Sequence, residues 1–296
     1  MTSPELRSVI TYVDDERIDR LPADDRGLAY GDGLFETVAV AGGVPRLLSS
    51  HLDRLLAGAA RLAIPVQRSV VERRLRHHAR ELGDGVIRYT LTRGSGPRGY
   101  APPRAPTPRH LLQQSPREAG FADAWWSPTA SPIAVRTCRT RLSVNPALGG
   151  LKHLNRLPQV LARGEWSDPH VAEGLMRADA STIVCATAAN VFALVAERLY
   201  TPGLERAGVD GVMRRAIMEL APSVGLDVHV EEKTLAFLTD EANAVFLSSA
   251  LTGVRLVWRI DDATIAAPDA RLSALAPLAR LRLALGEHLG IERAES

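Results

Sequence analysis

The 296-residue sequence reads as an α/β protein of the α+β type, folded into two domains. Three observations carry that expectation. A composition 46% hydrophobic and 24% charged, at this length, allows a sizeable core and more than one domain. β-Branched runs closed by glycine or aspartate turns recur in both halves, interleaved with runs of helical period. Between the halves, Ser115-Pro116-Arg117-Glu118-Ala119-Gly120 and then Trp125-Trp126-Ser127 have linker composition. The expected division is an N-terminal domain over residues 1–114, a linker over 115–127 and a C-terminal domain over 128–296, with the tandem tryptophan packed at the junction.

In the first half, residues 9–13 are rich in β-branched side chains and read as a strand, followed by a turn at Asp14-Asp15-Glu16-Arg17. A glycine-punctuated stretch over 25–33 leads into a strand over 34–41, and Gly42-Gly43 closes a hairpin. Ser50-His51-Leu52-Asp53 has the form of a capping box, with aspartate in place of glutamate. It predicts a helix to about residue 63, because Pro65 biases Ile64 away from helical geometry. Residues 70–82 form a second helix. A strand over 85–93 runs into a glycine-rich loop over 94–99, and 110–113 form a further strand.

In the second half, 174–176 and 182–184 read as strands around a turn, followed by strands at 191–195 and 198–200. Gly211 opens a helix to about residue 221. A strand at 227–231, a short helix at 235–240, a strand at 244–248 and a C-terminal helix at 272–289 with an apolar stripe complete the pattern.

Composition narrows the function. Thirty-six basic against 34 acidic residues give a net charge of +2, which argues against bulk electrostatic binding of nucleic acid. No apolar run is long enough for a membrane span, and residues 1–20 carry five acidic groups and no apolar signal-peptide core. Cys138 and Cys185 make no disulfide framework, so the expected compartment is a reducing cytoplasm.

The most informative residue is Lys152, in Gly149-Gly150-Leu151-Lys152-His153-Leu154-Asn155-Arg156-Leu157. Leu154, Leu157, Val160 and Leu161 recur at helical spacing and Pro158 suits a first turn, which places Lys152 near a helix start. There the dipole and burial would both disfavour the ammonium and make the amine a nucleophile. A lone lysine is ordinarily a solvated surface group. This one is one of only two, with Lys233, beside 34 arginines, and other segments fit the same chemistry.

Those segments are Asp25-Arg26-Gly27-Leu28-Ala29-Tyr30-Gly31-Asp32-Gly33-Leu34-Phe35-Glu36-Thr37, His51-Leu52-Asp53-Arg54-Leu55, Arg93-Gly94-Ser95-Gly96-Pro97-Arg98-Gly99-Tyr100, Lys152-His153-Leu154-Asn155-Arg156 and Ala207-Gly208-Val209-Asp210-Gly211-Val212-Met213-Arg214. In this order they resemble the fold-type IV pyridoxal-phosphate enzymes, which include the branched-chain and D-amino-acid aminotransferases. The resemblance covers about residues 10–260.

The resemblance implies a two-domain enzyme with pyridoxal 5'-phosphate at the domain interface, a small-molecule substrate and a homodimer. It implies that Lys152 is the Schiff-base lysine and the proton-transfer base. Arg54 would bind the cofactor phosphate, with Val209, Gly211, Val212 and Met213 as the phosphate cradle and Ser249 supplying a further hydrogen bond. Thr37, Arg98, Tyr100 and Asn155 are implied on the substrate side; Thr37 reads equally as a structural strand residue, and a loop arginine such as Arg98 is more often a solvated group. The tokens around Lys152 and Arg98 are most similar to members that release pyruvate from 4-amino-4-deoxychorismate. An aminotransferase of the same fold and a non-catalytic pyridoxal-phosphate binder are the rival implications.

One position departs from the family pattern. Relatives carry a glutamate against the pyridine nitrogen, a few residues before a token that here is Ala189-Asn190-Val191-Phe192. The matching position holds Cys185. Cys185 is read in four ways: dispensable beside a weakly paired pyridine, a thiolate partner of the pyridinium, the mark of lost catalysis, or a buried apolar side chain. A weaker electron sink should harm transamination more than a lyase reaction driven by aromatisation.

Overall fold

The computed structural model describes residues 9–18, 20–119, 131–267 and 276–289. The tandem tryptophan, most of the expected linker and residues 272–275 of the expected C-terminal helix lie outside the described residues. The chain divides into two compact units, Met1–Ala122 with Leu151–Asn155, and Asp123–Gly150 with Arg156–Ser296. The Lys152 segment therefore packs as part of the first unit, although it follows the expected boundary in sequence.

The first unit is a six-stranded antiparallel sheet with two long helices. In chain order come β1 (Ile10–Val13), β2 (Glu16–Arg17), α1 (Arg26–Tyr30), β3 (Gly33–Ala41), β4 (Val44–Pro45), α2 (Leu48–Arg61), α3 (Arg68–Leu82), β5 (Gly85–Thr92) and β6 (Arg109–Pro116). The sheet order is β2-β1-β6-β5-β3-β4. β3 and β5 pair along eight residues, Gly33 against Thr92 through Val40 against Gly85. β3 is buried along most of its length, which accounts for its nearly continuous apolar sequence. Glu36 interrupts that sequence.

Two expectations are corrected here. The capping box does not start α2: the helix begins at Leu48 after Leu47 at φ +51, with no side-chain cap, and Ser50 and His51 lie inside it. Burying Leu48, His51, Leu52 and Leu55 on one helical face prevails over the capping pattern. β6 runs through Pro116, so the first residues assigned to the linker are strand.

The second unit contains β7 (Ile133–Thr137), α4 (Leu157–Arg163), β8 (Val171–Arg177), β9 (Thr182–Ala186), β10 (Asn190–Val195), β11 (Arg198–Thr201), α5 (Val212–Leu220), β12 (Asp227–Val230), β13 (Lys233–Thr234), β14 (Ala244–Ser249), β15 (Gly253–Ile260), β16 (Ala263–Thr264) and α6 (Ala276–His288). Among the described residues the main path of the sheet runs β12-β11-β10-β14-β15-β7-β8-β9-β13, with β16 beside β15. The two ends of that path, β12 and β13, are separated in sequence only by Glu231 and Glu232. A chain that short spans roughly 10 Å, so the sheet must curl until its ends approach.

Both faces of this sheet are buried. Leu175 of β8 packs with Val191, Val245 and Val257, while its neighbour Met176 packs on the other side with Cys185, Trp166 and Leu204. β7 and β15 were not anticipated from sequence; arginines within them and a β-bulge at Val257/Arg259 interrupt the pattern. The expected helix at 235–240 is present over residues 235–241, its last five residues, Phe237–Glu241, wound more widely than an α-helix. α6 buries Leu278, Leu281 and Leu285, the expected stripe. No described helix is long and apolar enough to cross a membrane.

Candidate functional site

Lys152 is held by backbone rather than by a helix. The Phe35 N–H donates to the Lys152 carbonyl at 3.0 Å, and the Leu154 N–H donates to the Gly33 carbonyl at 3.0 Å. Leu34 and His153 form an antiparallel bridge, so residues 152–154 lie as an extended segment against the start of β3. The Lys152 ammonium sits 4.3 Å from the centre of the Phe35 ring, an attractive cation–π position. The helix-start expectation is thereby corrected. α4 begins at Leu157, with Arg156 as its N-cap and Pro158 in the first turn, and a dipole that fades beyond one turn does not reach Lys152. The apolar periodicity that suggested a longer helix lies largely on an exposed face: Leu157, Val160 and Leu161 are 67%, 63% and 59% exposed.

Behind β3, Glu36 points into the unit, 1% exposed. Arg54 of α2 grips it with two bonds: Nε donates to Oε1 at 2.9 Å and Nη2 donates to Oε2. His51, one turn earlier on the same helix, places Nδ1 2.6 Å from Oε2. Burial pushes the Glu36 carboxyl up, but the Arg54 charge and hydrogen bonds, with His51, outweigh it and hold the group at about 2. Burial lowers the His51 pKa, against the pull of Glu36. Arg54 is thus held by Glu36, with His51 beside it, and sequence reasoning assigned neither as its partner. A signal was available: one carboxylate inside an apolar strand, and a histidine and arginine three apart on a helix.

The 25–33 segment is a scaffold. Asp25 caps α1, accepting from the Gly27 N–H at 2.8 Å, from Thr92 Oγ1 at 2.9 Å and from Arg109 Nε at 3.1 Å. Asp32 accepts from Arg26 Nε at 2.9 Å and from Arg93 Nε at 2.7 Å. Arg26 also reaches the carbonyls of Gly99 and Tyr100, both at 3.0 Å, and so straps the glycine-rich loop to α1. Arg98 and Tyr100 are exposed on that loop, with the Tyr100 ring edge-on to Tyr30 at 5.5 Å. Asn155 donates to the Gly31 carbonyl at 3.3 Å. Thr37 is half-buried in β3 opposite Arg88.

In the second unit, the cradle residues are assembled around the start of α5. Gly211 is the N-cap and no side chain caps the helix, which leaves its first amides to an anion. A Cβ on Gly211 would fall on Asn190 Oδ1, far inside van der Waals contact. Asn190 Nδ2 donates to the Val209 carbonyl at 2.9 Å, which fixes the turn. Gly208 has φ +87, and a Cβ there would meet Leu204 Cδ2 at 2.8 Å. Gly150 and Val209 are bridged, with the Gly150 N–H donating to the Gly208 carbonyl and the Asp210 N–H to the Gly150 carbonyl. Arg214 braces the helix start, its Nη1 donating to Asp210 Oδ1 at 3.1 Å and its Nη2 to the Pro202 carbonyl at 2.9 Å. A close-packed turn that tolerates only glycine and ends on free amides suits a phosphate. Ser249 follows Ser248, the register partner of Asn190. Its Oγ already accepts from the Thr252 N–H at 3.0 Å and lies 2.8 Å from Thr252 Oγ1.

Cys185 is 5% exposed in β9, and a Cβ on Gly208 would stand 3.9 Å from its Sγ. Burial pushes its thiol up to about 12, against the pull of Arg156. Arg156 is itself lowered to about 10 by burial. A thiol at about 12 is protonated at neutral pH, with Arg156 the cation that opposes its burial.

The sequence, compared with known proteins, matches the family described as amino-transferase class IV over residues 33–260. It is 33% identical over 236 residues to an aminodeoxychorismate lyase of Vibrio harveyi, covering 79% of this chain and 85% of that one. It is 30% identical over 257 residues to a putative branched-chain-amino-acid aminotransferase of Methanocaldococcus jannaschii, covering 85% and 86%. The fold is similar to a crystal structure of 4-amino-4-deoxychorismate lyase from Pseudomonas aeruginosa, with TM-score 0.85, 41% identity, and 95% and 99% coverage.

Proposed function

Because the chain belongs to the class IV amino-transferase family, we propose that it is a pyridoxal-phosphate-dependent lyase converting 4-amino-4-deoxychorismate to 4-aminobenzoate and pyruvate, a reaction that serves folate synthesis. The observation that carries this reading is the 41% identity, across nearly the full length of both chains, to the Pseudomonas aeruginosa lyase. The Lys-His-Leu-Asn-Arg token at 152–156 supports it.

The cofactor of this reading is pyridoxal 5'-phosphate. Lys152 would hold it covalently, while Arg54 and the amides of Val212 and Met213 would hold its phosphate, with Val209 and Gly211 shaping the turn and Ser249 lending a further bond. When bound, it supplies an electron sink for the pair released as a proton leaves the carbon bearing nitrogen. The chain's own residues do the rest. Lys152 Nζ, freed as an amine once the substrate's amine has taken its place, accepts that proton. The carbon–oxygen bond to the enolpyruvyl group breaks, the ring becomes aromatic, and the proton returns to the departing enol to give pyruvate. Arg98, Tyr100, Asn155 and Thr37 are the groups proposed to meet the substrate and its two carboxylates. Cys185, a neutral thiol, leaves the sink weaker than a carboxylate would, which a reaction driven by aromatisation tolerates better than transamination does. The exposed Leu157, Val160 and Leu161 support a homodimer.

Two assays run side by side test the reading. Pyruvate release from aminodeoxychorismate without keto-acid formation from branched-chain or D-amino acids is expected, and the reverse would sustain the aminotransferase. Cofactor absorbance with neither product would sustain a non-catalytic binder. Lys152→Ala should lose the long-wavelength cofactor absorbance and the lyase activity together.

A further inference from the structure

Glu36 and His51 have no part in the chemistry above, yet they are among the most deeply buried polar side chains of the first unit, each 1% exposed. The geometry points to Glu36, braced by His51, as a positioning residue for Arg54: it locks the guanidinium in one orientation before the phosphate arrives. This inference rests on the proposed function and deepens it.

A carboxylate beside a phosphate-binding arginine is at first sight a poor arrangement, because its charge opposes the phosphate. The geometry shows what it gives in return. Two of the three guanidinium nitrogens, Nε and Nη2, are engaged by the two oxygens of one carboxylate. Such a fork-to-fork pair fixes both the plane and the rotation of the guanidinium. The carboxylate is in turn fixed by His51 Nδ1 at 2.6 Å and by its own place in β3. Arg54 and His51 sit three apart on α2, so a single helix face presents both to Glu36. An arginine held this way loses no further side-chain freedom when a ligand binds.

A second observation speaks for His51 as more than filler. With Glu36 ionised, the hydrogen of the neutral imidazole lies on Nδ1, and the lone pair falls on Nε2. That nitrogen is buried and has no hydrogen-bond partner. An apolar side chain would fill the same space without stranding an acceptor. The imidazole is kept for its other edge, which holds the Glu36 oxygen nearest Arg54 Nη2.

The experiment uses the full-length protein freed of cofactor, titrated with pyridoxal 5'-phosphate and with pyridoxal, which lacks the phosphate. The wild type should prefer the phosphorylated ligand. Glu36→Ala should weaken pyridoxal phosphate by about tenfold to a hundredfold and pyridoxal by less than about threefold. Glu36→Gln, which keeps one acceptor for Arg54, should fall between and remains informative if the alanine variant does not fold. Glu36→Ala combined with Arg54→Ala should bind no worse than Arg54→Ala alone. An equal loss for both ligands would mark a merely structural residue and overturn the inference, as would a wild-type preference that survives both substitutions. A wild type with no preference for the phosphorylated ligand would overturn the functional reading itself, and the inference with it.

Discussion

Gly211→Ala is the sharpest test of the phosphate cradle, because the substitution carries no backbone strain of its own. Gly211 has φ −67 and ψ 139, which alanine adopts freely. Any cost must come from the Cβ, which would occupy the place of Asn190 Oδ1. Asn190 is 7% exposed and its Nδ2 donates to the Val209 carbonyl at 2.9 Å, so moving the side chain breaks that bond. The lost hydrogen bond is worth about 1 kcal/mol, and stranding buried polar atoms adds roughly 1–3 kcal/mol, for a total of about 2–4 kcal/mol. In a unit of this size that lowers the melting temperature by about 10 °C. The decisive assay is a double-mutant cycle followed by thermal melting. Asn190→Ala removes the obstacle, so Gly211→Ala should cost almost nothing on top of it, and the coupling should approach the full cost of the single change. Additive costs, or a Gly211→Ala variant within about 0.5 kcal/mol of wild type, would refute the reasoning.

Acid should unfold the protein in two stages. The His110 pKa is depressed by burial to about 4, so the stability it contributes is complete above about 6.5 and is lost as pH falls toward 4. Glu36, held at about 2, contributes stability complete above about 4.5 and lost as pH falls toward 2, with a ceiling of about 3 kcal/mol. Urea titrations between pH 7 and 3 should show Glu36→Gln flattening only the lower stage; an unchanged lower slope would sink the assignment. Cys138 and Cys185 are both buried with thiols pushed up to about 12, so a thiol reagent at pH 8 should label neither within minutes in the native protein and both in urea. Rapid native labelling of Cys185 would speak for the thiolate reading. Leu157→Asp with Leu161→Asp should halve the mass measured by light scattering while leaving the melting temperature within a few degrees; an unchanged dimer would move the interface elsewhere.

Much of the site was legible because covalent order carries it. Glycines at 208 and 211 announce a turn with no room for side chains, and a helix opening at Gly211 follows from what comes after it. The strands of the first half were legible from β-branched runs. The capping pattern at Ser50 misled because a local hydrogen-bond motif competes with burial, and burial of Leu48 and His51 prevails. Lys152 misled for a related reason: Leu154 to Leu161 has helical period, but Leu154 is bonded to Gly33 and the helix waits until Leu157.

The sequence by itself determined the cast: a lone lysine in a glycine frame, an arginine three residues after a histidine, and a glycine turn before a helix. These are facts of residue type and spacing, and chemistry reads them directly. Only tertiary structure decided how they are held. It placed Lys152 against β3 rather than on a helix, joined Glu36 to Arg54 and His51 across a strand and a helix, and buried Cys185 until its thiol stays neutral. Each of these depends on partners far apart in the chain and on exclusion of water, and neither is written in local sequence.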